Sequence, residues 1–190
     1  SVIIYRNDPN DSTSLANNAI TALYEDESGI LWVGTQNGLH RFDRTTGRFT
    51  VYRNNPDNNN SLSSNLVRSI IEAPRGMLWV STKRGLNRLD VARGEWTLFK
   101  ADKKGRGKGP SDNDIITILA DPANRAHLWL GTRDGGLNKL HLPTTTFSVF
   151  KPDPFPTADE ISLGITAMSF DPKGHLWLGT RDNMLWRFLP

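Results

Sequence analysis

LWVGTQNGL, residues 31–39, is written four times along the chain. It returns as LWVSTKRGL at 78–86, LWLGTRDGGL at 128–137 and LWLGTRDNML at 176–185. The tryptophans Trp32, Trp79, Trp129 and Trp177 stand 47, 50 and 48 residues apart. A recurrence that long, with turn residues between copies, belongs to a repeat architecture. Within each copy, Leu-Trp-Val/Leu is a short continuous apolar run, which fits a strand buried on both faces, and the following Gly/Ser-Thr lets a neighbour approach closely. Two or three polar residues, usually with a glycine, then lead to Leu39, Leu86, Leu137 or Leu185, which opens a second strand of a hairpin.

Working outward, residues 1–15 match residues 48–62 at an offset of 47, with Tyr5 on Tyr52 and Pro9 on Pro56. The chain is thus expected to start on the last strand of a unit. Residues 19–25 form the strand before the first tryptophan strand, and Asp26-Glu27-Ser28-Gly29 is the turn between them. The remaining strands of the first unit are 39–42 and 49–52. The second unit reads as strands 66–72, 78–82, 86–89 and 96–99, the third as 115–119, 128–132, 137–140 and 147–150. The fourth gives 165–170, 176–180 and 185–188. Four short antiparallel strands per unit of this length indicate an all-β chain, a β-propeller of four-stranded blades. We expect one domain over 1–190, with blade repeats at about 17–52, 64–99, 113–150 and 163–188 and strand 2–5 completing the last blade by pairing with 185–188, in the same molecule or in a neighbouring copy. Four blades then either close through that N-terminal strand or belong to a larger or assembled ring. The repeat tryptophans are expected to be core.

Asn18, the apolar stretch 19–23, the run EDESGILWVGT at 25–35 and then Gly38-Leu39 together resemble the two-component regulator propeller repeat. Four tandem copies carry the resemblance over nearly the whole chain. Ser81 departs from the Gly-Thr pair, and Asn183-Met184 stands where the third copy has Gly135-Gly136. The resemblance implies a non-catalytic, extracytoplasmic or periplasmic sensor domain of a hybrid histidine kinase, in a family whose sensors use larger rings and are often followed by a small immunoglobulin-like domain and a membrane helix.

Composition narrows the chemistry. Without cysteine there is neither disulfide nor thiolate metal site nor thiol catalysis. No apolar run approaches the length of a membrane helix, so direct membrane insertion is not expected of this segment. The net charge of +3 sits in one glycine-rich loop: Lys100, Lys103, Lys104, Arg106 and Lys108 against Asp102 leave the remainder slightly acidic. A basic loop with no aromatic residue reads as a solvated, mobile connector and not as a nucleic-acid site. His127 and His175 hold the same place in two units, too far apart to share a metal, so no cofactor or metal is expected. Arg41, Arg88, Lys139 and Arg187 recur at one place in the third strand and read as structural, their stems covering a blade edge.

The variable positions carry the functional expectation, because loops that differ on a fixed scaffold are where specificity is built. They are Gln36 and Asn37, Lys83 and Arg84, Arg133 and Asp134, and Arg181 and Asp182, one pair in each hairpin tip. The loops bearing Asn17, Asn18, Ser64, Asn65, Asp112 and Asn113 should open on the same face. Two function classes follow. One is a sensor module that takes a small polar ligand such as a carbohydrate, self-associates or packs on a partner propeller, and relays the signal to a transmitter domain outside this chain. The other is a propeller lyase or glycosidase, with Asp134 and Asp182 as paired carboxylates, or a protein-protein scaffold. The residues favour the sensor.

Overall fold

A computed structural model describes residues 2–150 and 164–189. Four antiparallel sheets, one per repeat, make up the fold. Ile20–Glu25 (β1), Leu31–Thr35 (β2), Gly38–Asp43 (β3) and Arg48–Tyr52 (β4) pair in sequence order. Val67–Glu72 (β5), Met77–Thr82 (β6), Gly85–Asp90 (β7) and Glu95–Phe99 (β8) repeat that meander, as do Ile115–Ala120 (β9), His127–Thr132 (β10), Leu137–His141 (β11) and Thr146–Phe150 (β12). The fourth sheet has three strands among the described residues, Ile165–Phe170 (β13), Leu176–Thr180 (β14) and Leu185–Phe188 (β15). These bounds lie within two residues of the expected ones; the start of the fourth repeat, at 163, falls outside the described residues.

The chain divides into two units, residues 1–83 with 87–98, and 84–86 with 99–190. In the first, β1 and β2 pack on β5 around Trp32, Leu39, Val67, Ile70, Leu78 and Val80. In the second, β9 and β10 pack on β13 around Trp129, Leu137, Ile165, Leu176 and Leu178. The glycine of the tryptophan strand makes each contact possible: a Cβ on Gly34 would lie 2.6 Å from Val67 Cγ1, and one on Gly131 would lie 2.7 Å from Ile165 Cγ2. In these two blades the centre of the sheet is hollowed to admit one branched side chain from the next blade.

Trp32, Trp79 and Trp129 are at most 1% exposed, and Trp177 is half-buried. Burying an indole N–H needs an acceptor, and the turn before each tryptophan strand supplies one. Asp26 Oδ2 accepts from Trp32 Nε1 at 2.8 Å while its Oδ1 accepts the Ser28 and Ile30 amides. Asp121 does the same for Trp129, and Asp171 for Trp177, both at 3.1 Å. In the second blade, where Ala73 stands at this place, its carbonyl accepts from Trp79 Nε1 at 2.6 Å. Burial works against the Asp171 carboxylate, but the amides of His175 and Lys173, the Trp177 indole and the His175 ring outweigh it and hold the carboxyl well below the usual range. The recurrent basic residue of the third strand is explained in the same place, because register puts Lys139 opposite Trp129 and Arg187 opposite Trp177. Lys139 Nζ lies 4.6 Å from the Trp129 ring centroid, and the Arg88 and Arg187 guanidiniums 5.8 and 5.9 Å from theirs. Their role is a cation on an indole face as well as an aliphatic cover.

Two expectations are corrected. Residues 2–5, expected to supply the strand that completes the last blade, lie outside every strand among the described residues, with Val2, Ile3 and Ile4 well exposed and the Tyr5 ring edge-on to Phe42 and Phe49. The basic loop, expected to be a mobile connector, is instead wrapped around one carboxylate. Asp102 accepts the amides of Lys104, Arg106 and Lys108 at 3.1, 2.7 and 3.2 Å, and its own amide bonds Pro110. Successive N–H groups aimed at one anion make a nest, so the lysines point outward because the backbone points in.

Candidate functional site

The hairpin tips that carry the eight candidate residues are built from the motif threonine. Thr35 Oγ1 donates to the Gly38 carbonyl at 3.1 Å, Thr132 Oγ1 to Gly136 at 2.8 Å and Thr180 Oγ1 to Met184 at 3.0 Å. A hydroxyl bound across its own tip fixes the loop at no cost to the ladder, which is why Thr follows the glycine. Asn183 takes φ 64° in the fourth tip, a left-handed conformation that asparagine tolerates better than most residues.

In the first unit, Gln36 is exposed, whereas Asn37 is committed to the scaffold. Its amide donates to the Ala16 carbonyl at 3.3 Å, and its Oδ1 accepts from Asn65 at 3.4 Å. Lys83 and Arg84 are exposed at the β6–β7 tip. The connecting-loop asparagines are structural too: Asn18, Asn65 and Asn113 each accept the amide of a residue just after the preceding fourth-strand segment, at 2.8, 2.7 and 2.8 Å.

The second unit brings charged candidates together. Arg181 Nη1 meets Asp134 Oδ1 at 3.0 Å across adjacent blades, and both side chains are largely exposed. Arg133 Nη1 lies 3.5 Å from Asp114 Oδ2, whose side chain is 9% exposed. The Asp134 amide donates to Asp112 Oδ2 at 3.0 Å. Gly164 lets the tips approach: a Cβ there would stand 2.3 Å from the Arg133 carbonyl oxygen and 2.5 Å from Arg181 Cδ, and the Arg181 amide donates to the Gly164 carbonyl. Asp182 receives the Thr180 hydroxyl on Oδ1, while its buried Oδ2 has no hydrogen-bond partner. The result is a strip of guanidinium and carboxylate groups, the exposed Arg181–Asp134 pair with Arg133–Asp114 beside it. Such a strip presents donors and acceptors in fixed geometry to a hydroxyl-rich or anionic group. Asp112, on a loop expected to open on this face, and Asp114 contribute from the preceding loop; for Asp114 the acidic DND run at 112–114 was the one sign in the sequence.

The histidines serve locally. His40, fully buried, accepts the Ala16 amide on Nε2 at 2.9 Å and faces the Val33 carbonyl with Nδ1 at 3.1 Å. His141 bonds Thr144 and His175 bonds Asp171. The His127 ring lies 5.2 Å from that of His141, tilted by 46°, and burial first, then the Lys139 charge, push its pKa down.

Comparison with known proteins agrees with this architecture. The two-component regulator propeller family model matches residues 14–37, 61–84 and 159–182. No curated protein matches the chain. A solved structure described as the extracellular domain of a hybrid two component system of B. thetaiotaomicron, BT3049, is 27% identical and superposes with a TM-score of 0.77, covering 98% of this chain and 24% of that one. A second from the same organism, BT4673, is 22% identical with a TM-score of 0.75, covering 98% of this chain and 25% of that one. The computationally designed Ika4 protein shares the fold at 15% identity and a TM-score of 0.59, each chain covering the other in full. The present chain thus spans about a quarter of the two natural domains it resembles. With the model on three of the four units and the same tryptophan hairpin in the one between, the chain is built of two-component regulator propeller repeats.

Proposed function

We propose that the chain is a ligand-recognising part of the sensor of a two-component signalling protein, placed outside the cytoplasm, and that it is non-catalytic. The ligand is a polar molecule, of which an acidic or neutral oligosaccharide fits the strip best, and the signal passes to a transmitter domain beyond this chain. The likeness to an extracellular hybrid two-component domain supports the setting. The observation that carries the binding reading is the Arg181–Asp134 pair at 3.0 Å with Arg133–Asp114 beside it. The Arg181–Asp134 pair is exposed at both partners, and such a pair is worth only about 0–1 kcal/mol to the fold, so these two side chains can exchange one another for a ligand. As for the glycosidase alternative, Asp134 is paired with a guanidinium and Asp182 with a hydroxyl, so neither is set out as one of two carboxylates facing a cleft.

The test is calorimetric titration of the chain with a panel of uronic-acid-containing and neutral oligosaccharides, followed by the Arg133→Ala, Arg181→Ala double variant. Binding should fall at least about tenfold, the worth of one charge-assisted hydrogen bond, with the strand signal in circular dichroism unchanged. Equal binding by the double variant would move the site elsewhere, and new reducing ends released from the panel would favour the enzyme.

A further inference from the structure

The first blade departs from the second and third at the end of its sheet opposite the hairpin tip, where the turn before the tryptophan strand meets the turn after the third strand. In the second blade the Val91 amide donates to the Gly76 carbonyl at 3.0 Å, and in the third the Leu142 amide donates to that of Ala126 at 2.8 Å. Both joints are backbone on backbone, and Val91 packs against the core of its unit. The corresponding residues of the first blade are Arg44 and Gly29, and a charged side chain cannot be buried there as Val91 is. The Gly29 carbonyl is reached instead by the Arg44 side chain, whose Nε donates to it at 3.3 Å while Nη2 holds Glu25 Oε2 at 2.7 Å. A side chain thus spans the two turns where the other blades close them with an amide.

The gap is a cleft of about 380 Å³ lined by Gly29, Ile30, Arg41, Asp43, Arg44 and Thr50, within the size range of small-molecule sites. Arg41 is its unspent group. Register places Arg41 opposite Trp32 and Thr50, on the face where Trp32 packs with Val67 and Ile70 of the second blade. Arg88, at the same place in the second blade, lies over the Trp79 ring and donates to the Thr97 hydroxyl at 3.4 Å; Lys139 lies over Trp129. Arg41 makes neither contact: among the described residues its guanidinium has no hydrogen bond, ion pair or indole face, and it is exposed. Asp43 does not take it up, because the Thr45 and Thr46 amides and the Thr46 hydroxyl occupy that carboxylate.

We propose that this cleft binds a small organic carboxylate bearing hydroxyl groups, at a site separate from the hairpin-tip strip. The Arg41 guanidinium offers a planar fork that matches a carboxylate bidentately. The remaining N–H donors of Arg44 and the Thr50 hydroxyl line the same cleft, and the Gly29 carbonyl supplies an acceptor for a ligand hydroxyl. Charge selects the class. Glu25 neutralises Arg44, and Asp43 keeps its charge because the Thr46 hydroxyl, first, and the Thr45 amide hold its carboxyl below the ordinary pKa. One guanidinium is left over, so one negative charge balances the cleft, whereas a phosphate dianion would add a second beside Asp43.

The test is an amide-correlation NMR titration of the full chain with D-gluconate and D-glycerate. Sorbitol and glycerol serve as the same skeletons without a carboxylate, and inorganic phosphate as the dianion. Saturable shifts are expected at Gly29, Asp43, Arg44 and Thr50 with either acid and none with the polyols. Arg41→Gln, an exposed change that the fold tolerates, should weaken binding about tenfold or more, the worth of a charge-assisted pair. Arg41→Lys should retain only part of the affinity, because an ammonium lacks the fork. Arg44→Val sets the second blade's residue in the first, and should close the cleft and abolish binding with an equal or higher melting temperature. Should Arg44→Val not fold, Arg41→Gln decides. No shift with either acid, an equal response to phosphate or the polyols, or unchanged affinity in Arg41→Gln would overturn the proposal. Shifts confined to the tips at 133–134 and 181–182 would overturn it too while supporting the strip, so the two sites fail separately.

Discussion

His40 offers a sharp test of how the repeat holds its connecting loop. The ring is fully buried and bridges two segments, since the Ala16 amide donates to Nε2 at 2.9 Å and Nδ1 lies 3.1 Å from the Val33 carbonyl. An amide can only donate and a carbonyl only accept, so Nε2 must be bare and Nδ1 protonated: the ring is neutral. Burial first, and then the Arg53 charge, push its pKa below the ordinary value against the opposing bonds to Val33 and Gly38. His40→Ala would orphan one buried donor and one buried acceptor at about 1–3 kcal/mol each and open a void beside Phe49, for a total of about 3–5 kcal/mol. His40→Asn should cost less than about 1.5 kcal/mol, because the chain itself uses asparagine there. Asn87 donates to the Val80 carbonyl at 3.1 Å and accepts the Ser63 amide at 2.9 Å, and Asn138 accepts the Ser111 amide at 2.8 Å. The lowered pKa gives a second signature. The unfolded chain takes up the proton near pH 6.5 and the folded chain only below that, so stability is full above about pH 6.5 and is lost as pH falls through the folded value. Urea unfolding followed by tryptophan fluorescence, from pH 8 to 5, should show wild type losing stability relative to His40→Asn on the acid side. His127 titrates in both proteins and cancels in the difference. An alanine cost under about 1 kcal/mol, or parallel pH profiles for wild type and His40→Asn, would refute the bridge.

Gly131→Val should be far more damaging than Gly179→Val, by about 1–3 kcal/mol in urea midpoint comparisons, because the new Cβ meets Ile165 and Thr117 at 2.7 and 2.8 Å in one case and nothing within 3.5 Å in the other. Asp102→Ala should open the loop at 103–108 to trypsin much faster than wild type is cut. The Lys108 amide, foremost, with those of Lys104 and Arg106 and the Arg106 charge, holds the Asp102 carboxyl below its usual pKa against its burial. The loop is therefore held above the ordinary carboxylate pKa and released as pH falls through the lowered one, which limited proteolysis by an acid-active protease would show as faster cleavage at the lowest pH.

The repeat was legible because its signal is redundant: a tryptophan every 47 to 50 residues, with Leu-Trp-Val/Leu before and Leu after, can lose one glycine to Ser81 and still be read. The acceptors of the indoles were not legible, because the position is not constant in type. Asp26, Asp121 and Asp171 bind through carboxylates while Ala73 binds through its backbone carbonyl, which no residue-type pattern reports. The candidate site divides the same way. Which hairpin tips vary is a matter of chain order and was visible, whereas the salt bridge from Arg181 to Asp134 crosses blades at a separation of 47 residues and depends on the close approach at Gly164. Asn37 shows the cost of reading variability alone, since its amide is taken up by Ala16 and Asn65.

Ile20, Leu23 and Leu185 show the deepest limit of sequence reading. Each matches in type the buried residues at its place in other blades, so pattern alone calls all of them core. Only burial separates Ile20 at 44% from Ile115 at 0%, and Leu185 at 69% from Leu137 at 3%. Exposing apolar side chains of that size forgoes roughly 1.5–3 kcal/mol apiece.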